Sequence, residues 1–157
     1  MGNAFQFEAS DVLAVEALSV KVPSEAAAKL FMTDAEHFNS LLRKIPREQD
    51  LWQVRRLDVD VGSPADDLHR ALRKMLPDVD WVTAGKLIAA KRPRLIPILD
   101  SRVQNLLRSP QELFWVTLCD ELSDEHRRAT IADVCHAAPP HVSLLRRIDV
   151  ALWMATA

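Results

Sequence analysis

Residues 76–108 read LPDVDWVTAGKLIAAKRPRLIPILDSRVQNLLR, and this stretch limits the fold more than any other part of the chain. Apolar residues crowd Trp81 to Lys91 on every side, so the segment is predicted to be a helix buried around most of its circumference. Pro77 precedes it, and Pro93 and Pro97 follow it within a basic segment. Prolines at those places cannot continue a helix, so a turn must lead in and an extended strap over 91–99 must lead out. Asp100 then opens a second helix, predicted over 100–109. A buried helix with a turn before it and a strap after it needs other helices to cover it.

The rest of the chain supplies them. Ser10–Asp11 opens a short apolar helix that Pro23 closes, and Ser24 caps the next, from Glu25 to about Met32. Thr33 with Glu36 reads as a capping box for a helix over 34–45, where Phe38, Leu41, Leu42 and Ile45 recur at helical spacing. Residues 50–61 are the least regular. Leu57 to Val61 alternates in places, but a lone strand has no partner, so a turn of helix and a loop are expected. Ser63 and Pro64 open a helix from Ala65 to Met75. Ser109–Pro110 starts another, Gln111 to Glu121, and Ser123 caps one from Asp124 to about Ala137. Pro139–Pro140 interrupts the chain before the last helix, Val142 to Met154. With 3 Gly and no Tyr in 157 residues, composition also favours helix over strand. The expected class is all-α: a compact multi-helix single domain over 1–157.

Composition excludes several functions. A net charge of −2 argues against coating nucleic acid by bulk electrostatics. No apolar run has the length of a membrane span, so no membrane partner is expected. Two cysteines and no secretory leader predict a cytoplasmic protein. Cys135, His136 and His141 match no zinc-ligand spacing, and four cysteines for an iron–sulfur cluster are lacking; no metal and no cofactor are expected. The Trp residues are expected to be core anchors, with Trp81 alone placed to stack on a base.

The central motif resembles the core of the helix-hairpin-helix DNA glycosylase superfamily. There the hairpin reads Leu-Pro-Gly-Val-Gly, with Thr-Ala two residues on; here it is Leu76-Pro77-Asp78-Val79-Asp80, then Thr83-Ala84. Fifteen residues separate Ala84 from Asp100, the spacing that carries the catalytic aspartate in endonuclease III-like members. The resemblance implies a hairpin-like motif over 65–91 and makes Asp100 a candidate catalytic residue. It also implies two losses. The hairpin glycines let the backbone approach a DNA phosphate. Asp78 and Asp80 instead bring two negative charges, each worth about 4 kcal/mol against a phosphate roughly 4 Å away at an effective dielectric near 20. Val82 stands where a bifunctional member has its Schiff-base lysine, so lyase chemistry is not expected.

The remaining candidates for ligand or phosphate contact are Lys86, Lys91, Arg92, Arg94 and Arg102, with Trp81 as the stacking residue. The bland alternative makes Asp78 and Asp80 caps of the helix at Trp81, Asp100 a cap of the next, and the basic strap a solvated loop paired with these acids. The pattern Lys86-x4-Lys91-Arg92-Pro93-x-Leu95-x-Pro97-x-x-Asp100-Ser101 also resembles an uncharacterised bacterial family with a glycosylase-like relation, as does the segment 143–153. Three readings stay open. One is a degenerate, non-lyase binding module for a nucleic-acid-related ligand or a protein partner. Another is a monofunctional N-glycosylase acting on modified bases through Asp100. The third is a plain helical interaction protein.

Overall fold

The computed structural model describes residues 3–139 and 141–156. Among the described residues there are nine α-helices and no strand. They are α1 (Ala9–Glu16), α2 (Ser24–Ala28), α3 (Ala35–Leu42), α4 (Pro64–Met75), α5 (Trp81–Lys91), α6 (Ser101–Leu107), α7 (Phe114–Ser123), α8 (Glu125–Val134) and α9 (Leu144–Met154). No helix among the described residues is long and apolar enough to cross a membrane.

The central helix α5 occupies the residues its sequence predicts. Thr83 through Ala89 are all buried, and α5 packs against α1 on one side and α4 on another. Asp80 caps it, its Oδ1 accepting from Thr83 N at 2.7 Å. Asp78 does not share that role. It lies in the left-handed region, φ 53°, and shapes the turn between α4 and α5. The helix before that turn, α4, shows the expected start: Pro64 is its first residue, and Ser63 Oγ accepts from Asp66 N at 3.2 Å. Its inner face carries Ala65, Leu68 and Leu72, and its outer face pairs Asp66 with Arg70 at 2.8 Å.

Several boundaries differ from expectation. Ser24 begins α2 without capping it, and the chain then continues through a π-helical turn, Lys29–Thr33. In that turn Asp34 N donates to Lys29 O at 2.9 Å, five residues back. The Thr33–Glu36 capping box does not form, because Thr33 is still helical and α3 starts beyond it. Residues 50–61 fold as two single 3₁₀ turns, Leu51–Gln53 and Arg56–Asp58. Gln111–Leu113 is likewise a 3₁₀ turn leading into α7. Ser123 ends α7, donating to Cys119 O at 2.8 Å, and Asp124 caps α8 by accepting from Arg127 N at 2.9 Å. The Pro139–Pro140 break falls partly on Pro140, which lies outside the described residues; Ser143 caps α9 beyond it.

One contiguous core runs through these helices, with Phe38, Leu42, Leu51, Leu68, Leu87, Ile88 and Leu95 fully buried. Trp115 joins it and Trp52 and Trp81 are half-buried against it, whereas Trp153 is 50% exposed and so not a core anchor. The largest side chain sealed in the core is Arg92.

Candidate functional site

The strap after α5 fixes the site. Arg92 has no exposed surface. Its guanidinium donates from Nε to Ile45 O (2.9 Å), from Nη2 to Leu42 O (2.7 Å), and from Nη1 to Ala4 O (2.8 Å) and Lys91 O (2.9 Å). Leu42 is the last residue of α3 and Ile45 lies in the turn just beyond it, where helix geometry leaves carbonyls short of partners; Ile45 N serves the Leu42 carbonyl at 3.1 Å. Arg92 therefore supplies donors to the end of α3 and to the turn after it. Burial lowers its pKa to about 10, with a smaller contribution from Arg47. It remains charged at neutral pH and has no surface to offer an external phosphate.

The other basic residues of the strap are engaged as well. Lys91 Nζ contacts Asp11 Oδ2 at 2.5 Å and donates to Asn3 O at 2.9 Å. Arg94 makes a two-pronged pair with Asp50, at 2.9 and 2.5 Å. Their partners are thus Asp11 and Asp50, not Asp78, Asp80 or Asp100. Asp11, Lys91 and Arg94 line a cleft of about 350 Å³, together with Arg47 and Glu48, which pair at 3.0 Å. Arg102 is exposed on α6. Trp81 stands in a different cluster, edge-on to His69 at 4.8 Å and tilted against Trp115 at 6.3 Å. The Trp81 carbonyl lies 2.9 Å from His69 Nε2. A carbonyl only accepts, so Nε2 carries the proton, and burial lowers the His69 pKa.

Asp100 and Lys86 do come together, across a larger cavity of about 480 Å³. That volume falls within the roughly 300–1,000 Å³ of small-molecule sites. Its apolar wall is built from α1 (Ala14, Val15) and the turn after it (Leu18), α5 (Ala89), the strap (Pro93, Ile98) and α9 (Val150, Trp153). Four ionisable side chains interrupt the wall: Lys86, Asp100, Arg146 and Asp149. Asp100 caps α6, its Oδ1 accepting from Val103 N at 2.9 Å. Cap and cavity wall are compatible, because the cap engages one oxygen of the carboxylate.

Lys86 is 5% exposed, and its Nζ donates to Leu18 O at 2.7 Å. Among the described residues no carboxylate lies within ion-pair distance of it. Burial accordingly lowers its pKa, opposed by the charges of Asp100 and Asp80. Asp149, 8% exposed, is the buried acid of the cavity, whereas Asp100 is partly exposed. Its Oδ1 accepts from Ile98 N at 3.0 Å. Arg146 Nη1 lies 3.0 Å from Oδ2 but off the hydrogen-bonding line, so that buried oxygen has no hydrogen bond. Burial raises the Asp149 pKa to about 6, against the pull of Arg146 and the Ile98 N–H. Burial likewise lowers the Arg146 pKa, opposed by Asp149. Both partners shift toward their neutral forms, so desolvation outweighs their mutual attraction.

Arg146 also ties the strap down, donating from Nε to Pro93 O at 3.0 Å and from Nη2 to Ile96 O. Neither Arg146 nor Asp149 belongs to the motif read from sequence. A signal did exist: Asp149 sits four residues after the buried Leu145 and beside Ile148, on the inward stripe of α9. A carboxylate on a core-facing stripe marks either a buried pair or a site.

Comparison with known proteins adds one decisive match: the model of a family of unknown function, DUF6308, fits residues 2–156. The chain belongs to that family. No curated protein and no solved structure matches this DUF6308 member, so its chemistry rests on the cavity itself.

Proposed function

We propose that this DUF6308 chain is a ligand-binding module on a degenerate helix-hairpin-helix, glycosylase-like core, and that it holds a nucleic-acid-derived small molecule in the Asp100 cavity. The observation that carries the reading is the position of Asp100, at the start of α6 and in the wall of a cavity it shares with the hairpin helix α5. The turn before α5 supports the ancestry. Asp78 takes the left-handed conformation at the place where the superfamily hairpin has glycine.

The ligand is of nucleoside size and is not a polymer. Lys91, Arg92 and Arg94, which a duplex would need at its backbone, are spent on Asp11, backbone carbonyls and Asp50. Asp78 and Asp80 are exposed at the hairpin, where a phosphate would meet two negative charges. Val82 at the lyase position leaves no amine there for a Schiff base.

A second reading, a monofunctional N-glycosylase acting through Asp100, is favoured by one fact: the carboxylate both caps a helix and faces a cavity. Its phosphate contact would fall to Arg102, exposed on the same helix. Ligand-observed NMR with free nucleosides and low-salt gel shifts with duplexes carrying modified bases separate the two. The binding-module reading expects nucleoside contact that Asp100→Asn weakens, with no retained duplex. Release of a modified base from duplex DNA, lost in Asp100→Asn, would establish the enzyme instead. If nucleosides, duplex and base release all fail, the cavity is unrelated to nucleic acid.

A further inference from the structure

Lys86 is the lysine of the cavity wall, and its setting suits a nucleophile better than a strut. It projects from the middle of α5 and is 5% exposed. Among the described residues the Leu18 carbonyl, 2.7 Å from Nζ, is its only hydrogen-bond partner. Leu18 lines the cavity too, which places Nζ at the wall. Tying the turn after α1 to α5 takes a single N–H, and a neutral side chain supplies that without burying a cation.

Desolvation acts on that cation. Burial lowers the Lys86 pKa, against the charges of Asp100 and Asp80. A lysine desolvated by apolar neighbours holds more of its amine in the neutral, nucleophilic form. With one N–H on the Leu18 carbonyl, the neutral amine keeps a second N–H and its lone pair. Other lysines differ: Lys91 is tied to Asp11 and Asn3, and Lys21, Lys44 and Lys74 are exposed, where water holds the ammonium form.

The cavity selects the electrophile. An acyl donor needs a stabilised oxyanion and a leaving group, whereas an aldehyde needs only the amine and the release of water. Val15, Ala89, Ile98, Val150 and Trp153 offer the rest of such a molecule an apolar lining, and about 480 Å³ accommodates an aromatic ring on a short chain. We propose that Lys86 is a covalent carbonyl-binding residue, condensing with an aldehyde whose apolar body fills the cavity. The Nζ lone pair bonds to the carbonyl carbon, the carbon–oxygen bond breaks, and the two amine protons leave with that oxygen as water. The product is an imine that water reverses, so nothing is oxidised or reduced. The charge of Asp100, which already opposes loss of the Lys86 proton, favours the protonated imine in the same way. This rests on the cavity being the ligand site proposed above, and not on its ligand deriving from nucleic acid.

Reductive trapping on the full folded chain at neutral pH tests the proposal. The probe is hydrocinnamaldehyde with sodium cyanoborohydride, which delivers hydride to the imine carbon and leaves a stable secondary amine that peptide mass spectrometry locates. Lys86 is expected to carry the first adduct, about tenfold or more ahead of Lys21, Lys44 and Lys74, the advantage that burying a phenyl group confers. Glycolaldehyde has the same reactive group and no apolar body, and should lose that lead. 3-Phenylpropanol fills the cavity without a carbonyl, and should slow capture at Lys86 while leaving the exposed lysines unchanged. Lys86→Arg keeps a cation and a donor for the Leu18 carbonyl but forms no such imine, so its circular dichroism should be native and the fast adduct gone.

Adducts spread evenly over the lysines would overturn the proposal, as would a Lys86 lead that glycolaldehyde shares or that 3-phenylpropanol does not reduce. The wild-type mapping decides by itself if the variant fails to fold. Nucleosides binding while Lys86 stays unmodified would remove this inference alone. Capture at Lys86 with no nucleoside contact would remove the nucleic-acid reading alone.

Discussion

Replacing Arg92 with Met tests whether the basic strap is a binding surface or a structural tie. Met keeps an unbranched stem of similar reach and deletes the guanidinium. Three carbonyls, Ala4, Ile45 and Lys91, then lose their donor, whereas the Leu42 carbonyl keeps the Ile45 N–H at 3.1 Å. At about 2 kcal/mol for each stranded acceptor, the loss is roughly 6 kcal/mol. The variant also escapes the cost of holding a charge in the core. The fall of the Arg92 pKa to about 10 corresponds to roughly 3 kcal/mol by the usual conversion. The net expectation is a destabilisation of about 3 kcal/mol, or a fall in Tm of roughly 6–12 °C for a chain of this size. Urea denaturation followed by far-ultraviolet circular dichroism measures it directly. Arg92→Lys should also lose stability, because one ammonium cannot reach acceptors arranged around a planar fork. A change below about 1 kcal/mol in Arg92→Met would refute the reasoning, since it would mean that water or a shift of α3 serves those carbonyls equally well.

Other perturbations follow from the same geometry. Gly85 lies inside α5, and a methyl group there would meet His69 Nε2 at 4.0 Å, an ordinary contact; Gly85→Ala should raise stability by about 0.5–1 kcal/mol in urea melts, and a loss would mean α5 packs more tightly than drawn. Asp149 binds its proton more tightly in the folded chain, with a pKa of about 6, than in the unfolded chain, where it is about 3.9. Stability should therefore fall as pH rises from about 4 to 6, by up to about 3 kcal/mol from this group, and urea midpoints across that window should flatten in Asp149→Asn. Cys119 is 1% exposed, with its pKa raised first by burial and then by Asp120, whereas Cys135 is half-buried. A thiol reagent such as DTNB should label Cys135 quickly and Cys119 only on unfolding, and two fast thiols would contradict the packing of α7.

Much of the helix pattern was readable because its signals are local. Ser63–Pro64, Asp80 and Asp100 each satisfy a backbone N–H two or three residues away, so residue type and position suffice. Local signals failed where two ends compete for one segment. Thr33 looks like a cap, yet the helix before it runs on through a π turn. Ser123 looks like a cap, yet its hydroxyl turns back into α7. The candidate site divides along the same line. Asp100 and Lys86 line one cavity, and both are carried by helices with correctly read starts. Lys91 and Arg92 read as accessible charge in sequence but are buried, because their partners are far away along the chain. Nothing near Arg92 announces three backbone carbonyls from Ala4, Leu42 and Ile45, and nothing near Arg94 announces Asp50. Asp149 was legible in principle, as a carboxylate on the inward stripe of an amphipathic helix, but only a three-dimensional arrangement brings it to Asp100's cavity.

The strap thus has two faces with opposite properties, and the contrast bears on function. On one, cations meet carboxylates and carbonyls at 2.5–2.9 Å, and donors and acceptors are matched. On the other, a lysine is buried without a carboxylate in ion-pair range, and the buried Asp149 carboxylate is held by Arg146 at 3.0 Å. The walls there include Ala14, Ala17, Ala89 and Ala90, and larger side chains at those places would fill the space. A chain under selection for stability alone has simple ways to close such a cavity and to replace its charges with apolar groups. An apolar cavity kept open beside a lysine with no carboxylate in range is the feature that supports the ligand site proposed above.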